Sequence, residues 1–399
     1  MSLNDTPSSE RIHIAFFGKR NAGKSSIVNA VTNQPLSVVS DVKGTTTDPV
    51  TKAMELLPVG PVVIIDTPGI DDTGSLGSLR VERTYQILNK TDVAVLIADA
   101  VSGLCAEDKE LIKIFKEKKI SYIVAFNKTD LLDIVPAAAE NEIYVSALEK
   151  TNIHELKNLI AAAAKVETTD KRIIGHLLKP SDIVILVTPV DESAPKGRLI
   201  LPQQQTVRDI LDSDAISLVI QPAQLTDTLR SLSRKPRMVV TDSQAFARVA
   251  ADTPEDIPLT SFSILFANYK GILKDAVAGV NALNTLKDSD RILISEGCTH
   301  HRQCNDIGTV KLPRWIEKYT GVKPVYEFSS GTGFPRDLSS YKMIIHCGGC
   351  MLNDREVLSR CRTSSQSGIP FTNYGTAISY MNGILKRTLE IFPDISKLI

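Results

Sequence analysis

The chain has 399 residues, and its 46 lysines and arginines balance 46 aspartates and glutamates. This length predicts two or three domains, and the balanced charge disfavours a protein that binds nucleic acid or anionic membranes through its net charge. No apolar run approaches the ~20 residues that span a bilayer, and the six cysteines occur without a secretory signal, so we expect reduced thiols in a soluble, cytoplasmic protein.

A phosphate-binding loop follows the first predicted strand, Arg11–Phe17. The loop is Gly18–Ser25 (GKRNAGKS), which matches GxxxxGKS and precedes a predicted helix. In such a loop the backbone amides surround the phosphates, the lysine neutralises the β- and γ-phosphate oxygens, and the final hydroxyl binds Mg²⁺. The residues predicted to contact the nucleotide here are Gly18, Asn21, Ala22, Gly23, Lys24, Ser25 and Ser26.

A second nucleotide motif follows the predicted strand Val62–Ile65. It is the sequence DTPG, in which the Asp66 carboxylate can hold Mg²⁺ and the Gly69 amide can sense the γ-phosphate. Both roles require the motif to lie at the carboxyl end of a strand, beside the phosphate loop.

Two more motifs indicate that the base is guanine. The strand Tyr122–Phe126 ends in Asn127–Asp130 (NKTD), whose aspartate can accept hydrogen bonds from the N1–H and 2-amino groups that adenine lacks. The strand Ile143–Val145 ends in Ser146–Leu148 (SAL), which resembles the loop that contacts guanine O6. The predicted contacts with the base are Asn127, Lys128, Asp130, Ser146 and Ala147.

Four such motifs in this order, each after an apolar strand, resemble the Ras-like GTPases. The segment Gly44–Asp48 (GTTTD) resembles the GTTxD switch sequence of Era and MnmE-like members, which implies that Thr46 binds Mg²⁺ together with Ser25. We therefore predict a Ras-like P-loop GTPase domain over residues 1–168. Its predicted catalytic residues are Lys24, Thr46 and Asp66.

Two residues distinguish this domain from Ras-type enzymes. Ile70 stands where those enzymes carry a glutamine that orients water, and an alkyl side chain cannot do that. In the MnmE-like group, an asparagine of the phosphate loop binds K⁺, which takes the place of an arginine finger. Asn21 holds that position here, so the resemblance implies stimulation by K⁺. A solvated asparagine in a turn explains the same residue equally well.

The middle of the chain has no recognisable chemistry. Residues 165–172 are charged and lack apolar periodicity, which predicts a linker. From residue 173 to residue 268, predicted strands alternate with helices, as is typical of a small parallel sheet. This segment has neither a cysteine nor a glycine-rich phosphate loop. We therefore expect a dimerisation domain, and an exposed edge strand that pairs across a two-fold axis is one route to it.

The last predicted domain, residues 269–399, also alternates strands and helices, and two of its strands end in cysteines and histidines. The strand Arg291–Ser295 leads into Glu296–His300 (EGCTH), and Met343–Ile345 leads into His346–Cys350 (HCGGC). Ligands of open α/β sheets bind beyond the carboxyl ends of strands, so these side chains predict a metal site. The residues concerned are Cys298, His300, His346, Cys347 and Cys350.

Three interpretations of these cysteines remain open on physical grounds. Zinc accepts thiolate and imidazole in a tetrahedral shell, which suits both cysteines of the CxxC, Cys298 and His300. An iron–sulfur cluster could use the three cysteines and leave one iron for an exchangeable ligand. Buried inert thiols are the third interpretation.

The combination of a Ras-like GTPase domain, a middle α/β domain and a terminal CxH…HCxxC sequence resembles the FeFe-hydrogenase maturation GTPases of the HydF family over the whole chain. The resemblance implies a 4Fe–4S cluster bound by Cys298, Cys347 and Cys350, with His300 and His346 near the fourth iron. The ligand of that iron would be one of these histidines, a carboxylate such as Glu296 or Asp306, or solvent. Cys304 and Cys361 lie outside the motif.

The resemblance also implies a function and partners. The protein would hydrolyse GTP with Mg²⁺ and act as a scaffold or carrier for the di-iron precursor of the hydrogenase active site. Its partners would be apo-hydrogenase and the two radical-SAM maturases of the pathway, and it would form a homodimer or a larger assembly without nucleic acid or membrane. The alternative is an MnmE/Era-like GTPase that acts on RNA and has a structural zinc domain. That alternative predicts a basic stripe with aromatic residues, which the sequence lacks.

Overall fold

The computed structural model describes residues 6–19, 21–35, 50–67, 84–165, 171–190, 199–297, 306–331 and 333–398. The chain forms two compact units, Met1–Asp170 and Lys171–Ile399. Some residues singled out in the sequence lie outside the described residues, so their predicted roles stay predictions: Thr46, Gly69, Ile70, Cys298, His300 and Cys304.

The first unit is built on one sheet. Its strands are β1 (Ile12–Gly18), β2 (Val50–Leu56), β3 (Gly60–Asp66), β4 (Val93–Asp99), β5 (Ser121–Asn127) and β6 (Glu142–Tyr144). They lie in the order β2-β3-β1-β4-β5-β6, where β2 runs antiparallel to β3 and the other pairs are parallel.

Helices cover both faces of this sheet. They are α1 (Lys24–Thr32), α2 (Ala106–Glu117) and α3 (Ile153–Lys165), and residues 84–89 are also helical. Ile14 and Phe16 of β1 belong to the core shared with α1 and α3, whereas Ala15 and Phe17 belong to the core shared with α2. The central strands read as continuous apolar runs because they are buried on both faces.

The second unit contains two four-stranded sheets, and all their strands are parallel. The first sheet, in the order β10-β9-β7-β8, consists of β7 (Ile183–Val187), β8 (Ile216–Ile220), β9 (Met238–Thr241) and β10 (Leu259–Ser261). The second, in the order β12-β11-β13-β14, consists of β11 (Arg291–Glu296), β12 (Val325–Ser330), β13 (Met343–His346) and β14 (Phe371–Asn373).

One hydrophobic core connects these two sheets. This core includes Val184 of the first sheet and Ile344 of the second. It also includes Phe266, which lies between the two sheets in the sequence. The helices are α4 (Leu201–Leu211), α5 (Leu225–Ser231), α6 (Phe246–Asp252), α7 (Phe262–Tyr269), α8 (Leu273–Gly279), α9 (Leu312–Thr320), α10 (Asp354–Gln366), α11 (Tyr374–Met381), α12 (Leu385–Thr388) and α13 (Pro393–Ser396). In the described part of the chain, no helix has the length and apolarity that a membrane span requires.

The predicted fold class is confirmed: the chain is α/β, with a Ras-like P-loop domain followed by two parallel sheets. The sequence predicts one helix over Tyr269–Leu286 and another over Ala377–Ile391, and both predictions are wrong in extent. The stretch Tyr269–Leu286 is not one helix, because Gly271 adopts a φ of +77° between α7 and α8. The stretch Ala377–Ile391 is divided in the same way by Gly383, whose φ is +71°. Glycine reaches this left-handed conformation without steric cost and commonly ends a helix there.

Candidate functional site

The phosphate loop connects the carboxyl end of β1 to the first turn of α1. Gly23 precedes α1 with a φ of +84°, and a Cβ added there would lie 2.1 Å from the Asn127 Nδ2. Glycine is therefore required at this position both by the backbone conformation and by the close approach of Asn127. Asn21 also adopts a positive φ, of 64°, which asparagine tolerates better than most residues.

The lysine of the loop and the aspartate at the end of β3 contact each other. The Lys24 ammonium donates a hydrogen bond to the Asp66 carboxylate, and the two side chains are only 9% and 2% exposed. The loop thus brings together the predicted phosphate ligand and a predicted Mg²⁺ ligand. Because a buried charge needs a partner, each group compensates the charge of the other.

Asn127 joins the phosphate loop to the predicted base-binding loops. Its amide nitrogen donates to the Ala22 carbonyl at 3.0 Å, and its side-chain oxygen accepts from the Ala147 backbone N–H at 3.0 Å. The Ser146 hydroxyl donates to the Asp130 carboxylate at 2.5 Å. The structure therefore brings the described parts of three motifs together.

The structure adds one residue that the motifs did not identify. The Lys128 ammonium donates to the Asp99 carboxylate at 2.6 Å. Burial raises the pKa of Asp99, but the hydrogen bond and charge of Lys128, together with backbone N–H bonds from Val101 and Ser102, outweigh it, so the pKa lies below its usual value. Asp99 ends the apolar strand β4, just as Asp66 ends β3. An aspartate at the end of a buried strand was therefore the signal that could have revealed it.

A cleft of about 450 Å³ opens between α1 and α3. Two of its lining residues, Ser26 and Ala147, are predicted nucleotide contacts. The other lining residues are polar or basic for the most part, namely Asn29, Ala30, Asn33, Lys150, Ile153, His154 and Lys157.

In the second unit, β11 and β13 are neighbours, with Ser295 beside His346 in the register. The carboxyl ends of β11 and β13 therefore lie side by side. The Gly297 backbone N–H donates to the Cys347 Sγ at 3.1 Å, and the Gly349 N–H donates to the same sulfur at 3.3 Å. Gly349 adopts a φ of +65°, which turns the chain between the two cysteines.

Burial raises the pKa of both described cysteines of this turn. Burial raises the pKa of the Cys347 thiol, although the N–H groups of Gly297 and Gly349 oppose the shift. Burial, together with the charge of Cys347, raises the pKa of Cys350 to about 12. A metal that binds here must displace the thiol protons. The donor set fits a thiophilic metal or an iron–sulfur cluster, because two sulfurs lie in one turn and one of them already accepts amide hydrogen bonds. Within the described ranges, no three or more His, Cys, Asp or Glu side chains lie together as a group that could hold a metal ion.

Two carboxylates considered as ligands of the fourth iron already have hydrogen-bond partners. Glu296 is buried and accepts from the Tyr374 hydroxyl at 3.1 Å. Burial, followed by the charge of Glu296, raises the pKa of Tyr374 well above its usual value. Asp306 accepts from the Thr309 backbone N–H at 2.9 Å and from its hydroxyl at 3.1 Å. Each carboxylate therefore has a structural role besides any role toward a metal.

The surroundings of His346 argue against its prediction as an exchangeable ligand. The side chain is fully buried, and its Nδ1 lies 2.7 Å from the Cys347 carbonyl, an acceptor. Its Nε2 lies 3.2 Å from an Arg360 nitrogen, which can only donate. The imidazole is thus neutral with its proton on Nδ1, and neither nitrogen is free for a metal. Burial, and then the charge of Arg360, lower the pKa of His346 to about 3.

Family models match three consecutive parts of the chain. Residues 13–128 match the model described as 50S ribosome-binding GTPase. Residues 173–271 match the hydrogen maturase F dimerization domain, and residues 274–391 match the hydrogen maturase F tetramerization domain. The two hydrogen maturase models together span most of the second unit.

Curated relatives and solved structures match less of the chain. The tRNA modification GTPase MnmE of Desulforamulus reducens is 29% identical over 46% of this chain and 44% of its own length. GTPase Der of Kosmotoga olearia is 29% identical over 57% of this chain and 55% of its own length. The chain thus spans about half the length of these relatives. A single-residue variant of Aquifex aeolicus Era bound to GDP·AlF4⁻ is 20% identical with a TM-score of 0.34, over 55% of this chain and 98% of that one.

Proposed function

Because the chain belongs to the hydrogen maturase F family, we propose that it is a GTP hydrolase that binds a 4Fe–4S cluster in its second unit and serves as scaffold and carrier for the di-iron precursor of FeFe-hydrogenase. The precursor would be a transient cargo. Its supply and delivery would require the two radical-SAM maturases and apo-hydrogenase as partners.

The observation that supports the cluster most directly is the environment of Cys347. Its sulfur accepts two backbone N–H bonds where β11 and β13 end side by side. Amide donors to a cysteine sulfur stabilise its thiolate form and tune the potential of an iron–sulfur cluster. When bound, the cluster would supply an iron open to exchange. The protein ligands would be Cys298, Cys347 and Cys350. A carboxylate, His300 or solvent would complete the coordination of the fourth iron.

Anaerobic purification tests this proposal. A brown protein with charge-transfer absorbance and stoichiometric iron is expected, because three thiolates suit a 4Fe–4S cluster. A colourless protein with stoichiometric zinc would instead support the alternative, an RNA-acting GTPase with a structural zinc domain. That alternative has its own support, since a curated relative is named as a tRNA modification GTPase.

For GTP hydrolysis, we propose that Lys24 leaves Asp66 to bind the β- and γ-phosphates. Asp66, Ser25 and Thr46 would then hold Mg²⁺ directly or through water. Asp130 would accept from the guanine N1–H and 2-amino groups, while Asn127 keeps the phosphate loop against the SAL loop. Asp99 would hold Lys128 in place beside the base. Positioning and charge stabilisation account for most catalysis of phosphoryl transfer, so this set suffices for slow hydrolysis.

Hydrolysis of GTP is expected to be several-fold faster in K⁺ than in Na⁺, and ATP should not replace GTP. The physical reason is that Ile70 cannot orient water, so a cation held by Asn21 would stabilise the transition-state charge. Phosphate release measured in matched chloride salts checks this expectation. Asn21→Gly is the matched variant, because glycine adopts the positive φ of this position and removes the side-chain amide whose oxygen would hold the cation. Equal rates in both salts for the unchanged protein would contradict the K⁺ site.

We also propose that β8 forms the dimer contact. It is an edge strand of its sheet, and Ile216 and Val219 are 42% and 41% exposed. The double variant Ile216→Lys, Val219→Lys is expected to weaken dimerisation at least about tenfold, because like charges would oppose each other across a two-fold axis. Sedimentation velocity measures the change. Leu211→Lys is the control, since Leu211 is 56% exposed outside any strand. A double variant that remains as dimeric as this control would exclude β8.

A further inference from the structure

Behind the cysteine turn lies a fully buried arginine that contacts three neighbouring strand ends. Arg360, on α10, is 2% exposed. Its Nη1 donates to the Ser295 hydroxyl of β11 at 3.3 Å and to the His346 Nε2 of β13 at 3.2 Å. Its Nη2 donates to the carbonyl of Gly331, which follows β12. One rigid guanidinium thus fixes the carboxyl ends of β11, β12 and β13 relative to one another.

The same guanidinium is paired and enclosed. Its Nε and Nη2 donate to the Glu356 carboxylate at 3.0 and 2.8 Å, and Glu356 is also buried. The Arg360 guanidinium carbon lies 5.2 Å from the centre of the Phe334 ring. Burying an ion pair usually gains no stability over apolar side chains of similar size. The pair therefore suggests a role in positioning rather than in stability alone.

His346 transmits this position to the cysteine turn. Because the Nε2 of His346 accepts from Arg360, its proton must lie on Nδ1, which donates to the Cys347 carbonyl at 2.7 Å. The Cys347 backbone N–H is held as well, by the Ser295 carbonyl at 2.9 Å. Hydrogen bonds therefore run without interruption from Glu356 through Arg360 and His346 to the backbone that carries a predicted metal ligand.

We propose that Arg360 is a positioning residue for the metal site, and that it acts through His346 to present the Cys347 sulfur to the metal. This inference rests on the proposed metal-binding function of the cysteine turn. Neither Arg360 nor His346 contacts the metal in this proposal. Residues that orient metal ligands in this way typically affect metal affinity by about 10- to 100-fold.

Histidine variants separate the donor role from mere filling of space. In His346→Asn, the amide nitrogen can replace Nδ1 and donate to the Cys347 carbonyl. In His346→Gln, the longer amide reaches the place of Nε2 instead. We expect His346→Asn, which keeps the donor to the Cys347 carbonyl but is too short to accept from Arg360, to release iron to a chelator faster than the unchanged protein. His346→Gln should release it faster still, about 10- to 100-fold above the unchanged protein, with an altered electron paramagnetic resonance spectrum. Equal release from both variants would overturn the role of His346.

Arg360 is tested by a double variant, because removing it alone would leave the Glu356 carboxylate buried without its partner. Arg360→Met, Glu356→Gln removes both charges and approximately keeps the volume. With folding confirmed by thermal unfolding, it should match His346→Gln in release rate and spectrum. Release at the rate of the unchanged protein would overturn the proposal.

These readouts also separate this inference from the proposed function. If the unchanged protein holds zinc instead of iron, the cluster proposal fails, and the same variants are then compared by zinc release to a chromogenic chelator. The same order of release rates is expected with zinc. A zinc-loaded double variant that releases metal no faster than the unchanged protein would overturn the positioning role by itself.

Discussion

Replacing Lys24 with alanine is expected to lower the rate of GTP hydrolysis about 10²- to 10³-fold, the usual loss when one donor to developing charge is removed. Iron content should not change, because Lys24 belongs to the first compact unit and the cysteine turn to the second. Phosphate release with Mg²⁺ and GTP, and colorimetric iron determination on the same samples, measure the two quantities. Lys113→Ala is the control, since the Lys113 side chain is 77% exposed on α2.

The pairing of Lys24 with Asp66 determines how this experiment must be designed. Alanine would break the buried ion pair between Lys24 and Asp66, and breaking such a pair typically costs about 3–5 kcal/mol of stability. Lys24→Arg keeps a positive charge beside Asp66, but the planar guanidinium cannot take the place of an ammonium inside the loop. We expect this variant to stay folded and still to hydrolyse GTP poorly. A folded Lys24→Arg variant with the unchanged rate would contradict the assigned role of Lys24.

The first unit shows why nucleotide motifs can be predicted well from sequence. Each described motif follows an apolar run, and the carboxyl ends of parallel strands meet at one edge of a sheet. This rule brings Asn127, which we predicted as a contact of the base, close to the phosphate loop. The bonds of Asn127 to Ala22 and Ala147 show this closeness. Asp99 was missed because a single aspartate after a strand has no motif around it.

The environment of His346 could not be predicted in the same way. One of its two hydrogen bonds is with the Cys347 carbonyl, and the other is with Arg360, which lies 14 positions later on α10. An arginine inside an amphipathic helix is usually exposed, so nothing in the residue pattern indicates that this one is buried. Because His346 precedes the CxxC sequence, we predicted it as a possible metal ligand. The structure instead supports a role for His346 in orienting the cysteine turn.

Helix ends were the least predictable parts of the fold. Apolar periodicity continues across Gly271 and Gly383, so the pattern alone predicts unbroken helices. The breaks come from a local backbone preference, because both glycines adopt positive φ and the following segment starts a new helix. Apolar periodicity indicates which face of a segment is buried. It does not indicate where one helix ends and the next begins.

Replacing either described cysteine of the turn is expected to remove most of the iron. In Cys347→Ser and Cys350→Ser, a hydroxyl with a far higher pKa replaces the thiolate, and iron–sulfur clusters require thiolate ligands. Anaerobic reconstitution should therefore give about four iron atoms per chain for the unchanged protein and less than about one for each variant. Activation of apo-hydrogenase should fall in parallel, while GTP hydrolysis should stay unchanged because these cysteines lie outside the first unit.

Cys105 offers a matched control for the same substitution. It is a free cysteine at the N-terminal cap of α2, where its sulfur donates to Asp108 at 2.8 Å. Serine is among the preferred residues at such a cap, so Cys105→Ser should fold normally and keep its iron. If Cys347→Ser retained as much iron as Cys105→Ser, the cysteine turn would not be the cluster site. The two hydrogen bonds from backbone N–H groups to the Cys347 sulfur would then be explained by the packing of a buried thiol.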